Sequence, residues 1–299
     1  VDQAELSASV IGTVQKVYDG TTHAILDSTN YYLGGVLGSD EVTLINPSNG
    51  SFDTKYVGTG KAVTVSGLAL SGQDAANYRL TTTQISAGVG TVEQAELTVS
   101  LAGSVNKAYD GTTQATLTDS NYQLAGIFGG DSVLLNNPTS GIYNDKHVGA
   151  NKSVVVDGLA ISGSDAANYR LKSTIINGNI GKIDQATLTI SAVSSTKIYD
   201  GTTASAEVPV FTGLKAGDHV SGLEQGFSDK HAGGEKNLKV TAYTLTDGNG
   251  GANYRVVLVD NFTGQIMPAN ITVEAVAGSK VYDGTISSTT LAVITAGII

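Results

Sequence analysis

Hydrophobic and polar positions alternate with period two through much of the chain. Leu97-Thr98-Val99-Ser100-Leu101 is one such run, and Lys61-Ala62-Val63-Thr64-Val65-Ser66-Gly67 begins as another. Side chains of a strand point alternately to its two faces, so these runs predict half-buried strands. Gly and Asn interrupt them at intervals of roughly 8–12 residues, as at Asn49-Gly50 and Ser71-Gly72, which predict turns. Few segments sustain a helical period. The pattern therefore predicts an all-β chain of short strands.

The pattern also repeats. Lys16-Val17-Tyr18-Asp19-Gly20-Thr21-Thr22 returns as Lys107-Ala108-Tyr109-Asp110-Gly111-Thr112-Thr113, as Lys197-Ile198-Tyr199-Asp200-Gly201-Thr202-Thr203, and as Lys280-Val281-Tyr282-Asp283-Gly284-Thr285. The four tyrosines are 91, 90 and 83 residues apart. A second marker closes each unit: Asp74-Ala75-Ala76-Asn77-Tyr78-Arg79-Leu80, Asp165-Ala166-Ala167-Asn168-Tyr169-Arg170-Leu171, and the altered Gly250-Gly251-Ala252-Asn253-Tyr254-Arg255-Val256. A third opens each: Gln3 to Leu6, Gln94 to Leu97, Gln185 to Leu188, and the degenerate Pro268-Ala269-Asn270-Ile271. The first two units align without a gap and are identical at about half of their positions. This places repeat 1 at 1–93, repeat 2 at 94–184, a shortened repeat 3 at 185–267 and a partial repeat 4 at 268–299.

Seven or so strands in about 90 residues match an immunoglobulin-like sandwich. The closing marker fits, because such domains carry a tyrosine near the start of a late strand that bonds back to upstream backbone. Tyr78 takes that place, and Leu80 stands where a core cysteine would. In repeat 3, Gly250 replaces the aspartate, which predicts a looser corner there. Tyr-Asp-Gly predicts a tight turn entering a strand, and the recurring Gly-x-Asp-x-Val (Gly38 to Val42, Gly129 to Val133) predicts another. Asp218-His219-Val220 keeps only part of it. Thr91 to Leu97 passes from one unit to the next with almost no linker. End-to-end sandwiches of strands about 30 Å long would form an elongated rod of order 100 Å, stiffened by these short, glycine-free joints.

Composition narrows the chemistry. The chain has 299 residues, 37 Gly, 4 Pro and no Cys or Trp, which excludes disulfides, thiolate metal sites and a thiol nucleophile. The formal charge is −10 with no basic cluster, against the positive footprint that nucleic-acid binding requires. No apolar stretch is long enough to insert in a membrane. The chain starts at Val1 without a signal-peptide pattern and is expected to be a segment of something longer.

Catalytic chemistry finds little support. His23, His147, His219 and His231 form no ligand-like pairing. Asp19, Asp110, Asp200 and Asp283 would imply four identical active sites in a row, whereas a turn-forming role explains all four. No cofactor is expected. Calcium at the junctions is the alternative considered, yet Glu93, Glu96 and Asp184 are isolated. The recurrent Lys16, Lys107 and Lys197 with Asn77, Asn168 and Asn253 supply the residue types of an intramolecular isopeptide bond, but a solvated strand lysine and a turn-forming asparagine explain them with less. Glycan stacking lacks a repeated platform, since Tyr31-Tyr32 becomes Tyr122-Gln123.

The Lys-x-Tyr-Asp-Gly-Thr-Thr opening, the Asp-Lys-x-Val-Gly centre (Asp145 to Gly149) and the Asp-Ala-Ala-Asn-Tyr-Arg-Leu close together resemble the YDG repeat domains, akin to bacterial Ig-like MBG domains. The likeness covers nearly the whole chain. Departures are Thr54 and Ala232 in the centre of repeats 1 and 3. Such repeats occur in large secreted bacterial adhesins of the filamentous-haemagglutinin kind, exported by two-partner secretion. The resemblance implies a non-enzymatic stalk on a Gram-negative cell surface, spacing or self-associating in adhesion or biofilm. Its expected partners are neighbouring repeats, like molecules, surface glycans or host receptors. A carbohydrate- or receptor-binding array is the alternative.

Overall fold

A computed structural model describes residues 1–297. They are nearly all β and fall into two compact units: residues 1–105, 114–142 and 153–180 form the first, and residues 106–113, 143–152 and 181 onward the second. The division runs within repeat 2, so the units do not coincide with the sequence repeats.

In the first unit, repeat 1 holds ten short strands rather than seven: β1 (Ala4–Val10), β2 (Val14–Val17), β3 (His23–Ile25), β4 (Tyr31–Gly34), β5 (Thr43–Ile45), β6 (Asn49–Phe52), β7 (Gly58–Ser66), β8 (Ala69–Ser71), β9 (Tyr78–Leu80) and β10 (Gln84–Glu93). They form the sheets β4-β1-β9 and β2-β10-β7-β6-β3, with β5 and β8 as a two-stranded ribbon. The excess over seven starts at Gly12. Its φ of +71° breaks the first strand in two. β1 then runs parallel to β9, and β2 parallel to β10 in the other sheet. The first segment thus ties both sheets to the end of the same repeat.

The alternation read from sequence is kept. Val63 and Val65 of β7 are buried, with Thr64 between them less so. They join Leu6, Val10, Val14, Leu26, Phe52, Ile85 and Val92 inside the repeat. Asn49-Gly50 is not a turn, however; it lies within β6. A Cβ on Gly50 would sit 2.9 Å from both Leu26 Cδ1 and the Thr64 carbonyl oxygen. The glycine is there so that two strands and a leucine can approach closely. Repeat 2 contributes a matching three-stranded sheet to this unit, Tyr122–Ala125 with Ala95–Leu101 with Tyr169–Leu171. Only Gln94 separates β10 from Ala95–Leu101.

In the second unit, repeat 3 has a three-stranded sheet of Val210–Thr212, Ala186–Ser191 and Tyr254–Val259. A four-stranded sheet combines Thr196–Ile198, Asn261–Met267, Gly233–Thr246 and His219–Phe227. Leu188, Ile190, Phe227, Leu238 and Ile266 are buried. Where repeat 1 has β3 paired to β6, repeat 3 has a single bridge, Ala204 to Gly226. Residues of repeat 4 form one small hairpin, Thr272–Glu274 with Val293–Ala296, and are largely exposed.

Candidate functional site

The Tyr-Asp-Gly segment is a turn closed by its own aspartate. Asp19 Oδ1 accepts from the Thr21 amide at 2.8 Å, from the Thr21 hydroxyl at 2.8 Å and from Lys16 Nζ at 2.7 Å. Gly20 follows with φ +79°, the conformation a glycine takes at least cost. The same network forms around Asp110, Asp200 and Asp283, with Gly111, Gly201 and Gly284 also at positive φ. The Lys197 hydrogen bond, with the Thr202 amide, holds the Asp200 carboxyl down at about 2. Lys16, Lys107 and Lys197 are thus committed to aspartates, while Asn168 and Asn253 take other partners described below. The structure does not bring the lysines and asparagines of the isopeptide alternative together.

The closing tyrosine does not bond to nearby backbone as an immunoglobulin corner does. Tyr78 accepts from the Leu37 amide at 3.1 Å and donates to Asp40 Oδ2 at 2.6 Å, reaching the Gly-x-Asp turn 38 residues upstream. Tyr169 does the same with Phe128 and Asp131, and Tyr254 with Lys215 and Asp218. Repeat 3 is no looser for having Gly250. Buried Asp247 takes over the loop by accepting from the Asn249, Gly251 and Asn253 amides, and Tyr254 still lies 2.6 Å from Asp218. In repeats 1 and 2, Asp74 and Asp165 instead accept from the Glu41 and Ser132 amides.

In repeats 1 and 2 the tyrosine of Tyr-Asp-Gly bonds to the following repeat. Within the first unit, Tyr18 of repeat 1 donates to Asp131 Oδ2 of repeat 2 at 2.7 Å, the oxygen that Tyr169 also binds. The Tyr18 and Tyr169 rings meet edge to face at 5.3 Å, with Phe128 at 6.0 Å from Tyr18. Lys55 of repeat 1 completes the cluster, its Nζ 3.0 Å from Asp131 Oδ1 and 5.8 Å from the Tyr18 ring centre. Alongside, the Val57 amide donates to Asn168 Oδ1 at 3.1 Å.

The second unit contains the same arrangement one repeat on. Tyr109 donates to Asp218 Oδ2 at 3.0 Å and packs edge to face on Tyr254 at 5.4 Å. Lys146 Nζ lies 3.7 Å from Asp218 Oδ1, and the Val148 amide donates to Asn253 Oδ1 at 3.0 Å. Each junction is thus a buried carboxylate receiving two phenols and one ammonium. A buried charge is tolerable only when paired and hydrogen-bonded in this way.

The electrostatics follow. Hydrogen bonds from Tyr169 and then Tyr18, with Lys55, pull the Asp131 carboxyl down to about 2. Burial, followed by the bond to Asp131, pushes Tyr169 up to about 12. Burial, with the bonds to Asp131 and Asp218, raises Tyr18 and Tyr109 as well. The bond to Asp131, with that to Tyr18, holds the Lys55 ammonium above its ordinary range.

Other sequence candidates are dispersed. Glu96 pairs with Arg170 and Asp184 with Lys182, each at 2.8 Å. Among the described residues, no three His, Cys, Asp or Glu side chains converge. His23 lies 2.9 Å from Asn49 and His147 lies 3.2 Å from Asn253. A cavity of about 670 Å³ lies in repeat 3 against Ala204–Val208 and Gln225, where pairing has shrunk to the one bridge; its lining has no aromatic residue. The sequence marked the Gly-x-Asp turns and the Asp-Lys-x-Val-Gly centre that holds Lys146, but it assigned the aspartates, Lys55 and Lys146 no role in joining repeats. All recur, and that recurrence was the available signal.

A YDG domain matches residues 2–85, 93–176 and 184–261. The chain belongs to the YDG domain family, in three tandem copies. No curated protein matches it. Among solved structures, the three N-terminal domains of the bacteriophage RB49 highly immunogenic outer capsid protein (Hoc) align over 89% of this chain and 100% of that one. The identity is 9% and the TM-score 0.24, a likeness too slight to bear on fold or function.

Proposed function

We propose that this chain is a non-catalytic structural segment, a stalk of immunoglobulin-like sandwiches within a large secreted or surface-bound bacterial adhesin. The observation that supports this reading is where the recurring residues go. The side chains most like a functional motif, Tyr18 and Tyr109 with Lys55 and Lys146, are consumed in joining one repeat to the next. A repeated motif spent on junctions fits a spacer better than a row of active sites. The filamentous-haemagglutinin setting, export by two-partner secretion and an outer-membrane location come from the resemblance of the repeats. The carbohydrate- or receptor-binding alternative draws on the cavity in repeat 3, where hydroxyl and carboxylate groups line a polar space without a stacking platform.

Two measurements test the reading. Replacing the segment in its parent protein by an unrelated β-repeat array of equal length should preserve bacterial attachment, while shortening it should weaken attachment. The purified chain should capture nothing on a glycan array. Loss of attachment with the equal-length replacement, together with a glycan hit, would overturn the stalk in favour of the binding array.

A further inference from the structure

The first and last strands of repeat 1 run in the same direction. β2 is parallel to β10, from Val14 beside Gly90 to Val17 beside Glu93. The Tyr18 amide adds a further rung, donating to the Glu93 carbonyl oxygen at 2.8 Å. In the other sheet β1 is parallel to β9, from Ala4 beside Tyr78 to Leu6 beside Leu80. Leu6 lies eight residues before Val14 and Leu80 ten before Gly90, and an irregular register at Ala87–Gly90 takes up the difference. Both stretches therefore advance together along the two ladders. The chain enters repeat 1 at one end of these strands and leaves, after Glu93, at the other.

Repeat 3 is built the same way. Ala186–Ser191 is parallel to Tyr254–Val259 over six residue pairs, and Thr196–Ile198 to Asn261–Met267 over three. The Tyr199 amide donates to the Met267 carbonyl oxygen at 2.8 Å, as the Tyr109 amide of repeat 2 does to that of Asp184 at 2.7 Å. The backbone of the Tyr-Asp-Gly tyrosine thus closes each ladder at the end where the chain leaves. The next residue secures that end. Asp19 binds Lys16 of β2 at 2.7 Å, and Asp200 binds Lys197 at 2.8 Å, so the last rung cannot fray until the turn opens.

We infer that repeats 1 and 3 are mechanical clamps, with the further function of carrying tension. Tension between the two ends of such a repeat acts along its strands. It slides β2 past β10, so all the bonds of the ladder must lengthen together. Strands drawn apart from a shared end instead lose their bonds one at a time. Forced unfolding follows the barrier to opening, not the equilibrium stability, and a ladder loaded all at once raises that barrier. The Tyr-Asp-Gly turn pins the end of the ladder and so sets the force at which the repeat opens. The inference goes beyond the stalk reading and rests on strand direction alone. A failed attachment test would leave it standing, and its own failure would leave a spacer that bears no load.

The chain has no cysteine, so an introduced pair fixes the two points of pulling in an optical trap. Asp2→Cys with Glu93→Cys loads repeat 1 of the full chain along its strands. Thr22→Cys with Glu93→Cys grips it at one end, across the strands. All three positions are exposed. At one loading rate the first pair should rupture at a severalfold higher force than the second, while both share one urea midpoint. The length released, about 3.5 Å per residue between the attachment points, identifies the repeat that opened. Asp19→Ala should lower the lengthwise force more than Leu26→Ala does, although Leu26→Ala empties a core position and should cost more in urea. Asp184→Cys or Thr203→Cys, each with Asn270→Cys, gives the same two directions in repeat 3, and a result there counts equally. Equal forces in the two directions, or a lengthwise force that follows urea stability across the two substitutions, would overturn the inference.

Discussion

Tyr18 and Tyr169 share one oxygen of Asp131, with hydroxyl distances of 2.7 and 2.6 Å, while their rings meet edge to face at 5.3 Å. One phenol comes from repeat 1 and the other from repeat 2. Asp131 is thereby spent twice, once closing its own repeat and once holding the preceding one.

Removing the Tyr18 hydroxyl isolates the second use. Tyr18→Phe keeps the ring and deletes a hydrogen bond to a buried carboxylate, a loss of roughly 1.5–3 kcal/mol. Tyr109→Phe should cost a similar amount through Asp218. Tyr282→Phe, at an exposed position, should leave stability unchanged. Urea unfolding of the three variants checks the order, and equal costs at Tyr18 and Tyr282 would contradict it.

The two aspartates Asp40 and Asp131 are equivalent in sequence but not in load. Asp131 holds Tyr18, Tyr169 and Lys55, whereas Asp40 holds Tyr78. Asp131→Ala leaves two phenols and an ammonium without their acceptor and should destabilise by about 3 kcal/mol. Asp40→Ala should cost about 1 kcal/mol. Thermal melts give the comparison; the reverse order would show that the junction contributes less than the turn itself.

The junction should fail at both ends of the pH scale. Asp131 has a folded pKa of about 2, below the roughly 3.9 of an unfolded aspartate. Its stabilisation is full above about pH 4 and disappears as pH falls toward 2. Tyr169, at about 12, lies above the roughly 10 of a free phenol. Its stabilisation is full below about pH 10 and is lost as pH rises through 12. Phenolate absorbance should show a tyrosine that ionises only as pH approaches 12, and loss of that late phase in Tyr169→Phe checks the assignment; an unchanged absorbance profile in the variant would refute it.

Close packing at Gly50 gives a test outside the junction. Gly50→Ala drives a methyl into Leu26 and the Thr64 carbonyl and should cost about 1–3 kcal/mol. Gly58→Ala, with nothing within 4 Å of the added carbon, should be close to neutral. Differential scanning calorimetry separates them, and similar melting temperatures would mean that β6 yields without strain.

By itself the sequence determined the repeat, the β class, the alternation of Val63 and Val65, and the Asp-Gly turn that Asp19 closes. These are local or periodic properties, written in spacing and residue type within a few positions. The tertiary structure alone decided whose tyrosine meets whose aspartate. Tyr18 has Asp40 available 22 residues on in its own repeat, yet binds Asp131, 113 residues away. Repeats 1 and 2 carry the same residues at the same offsets, so spacing cannot tell a bond within a copy from a bond to the next. What separates them is burial. The one-residue joint at Gln94 brings the next copy's turn, with Asp131, up to Tyr18, whose ring is buried there. The same reason hid the role of Asp247, which lies outside the marker it replaces and closes the third corner only because the folded loop places three amides around it.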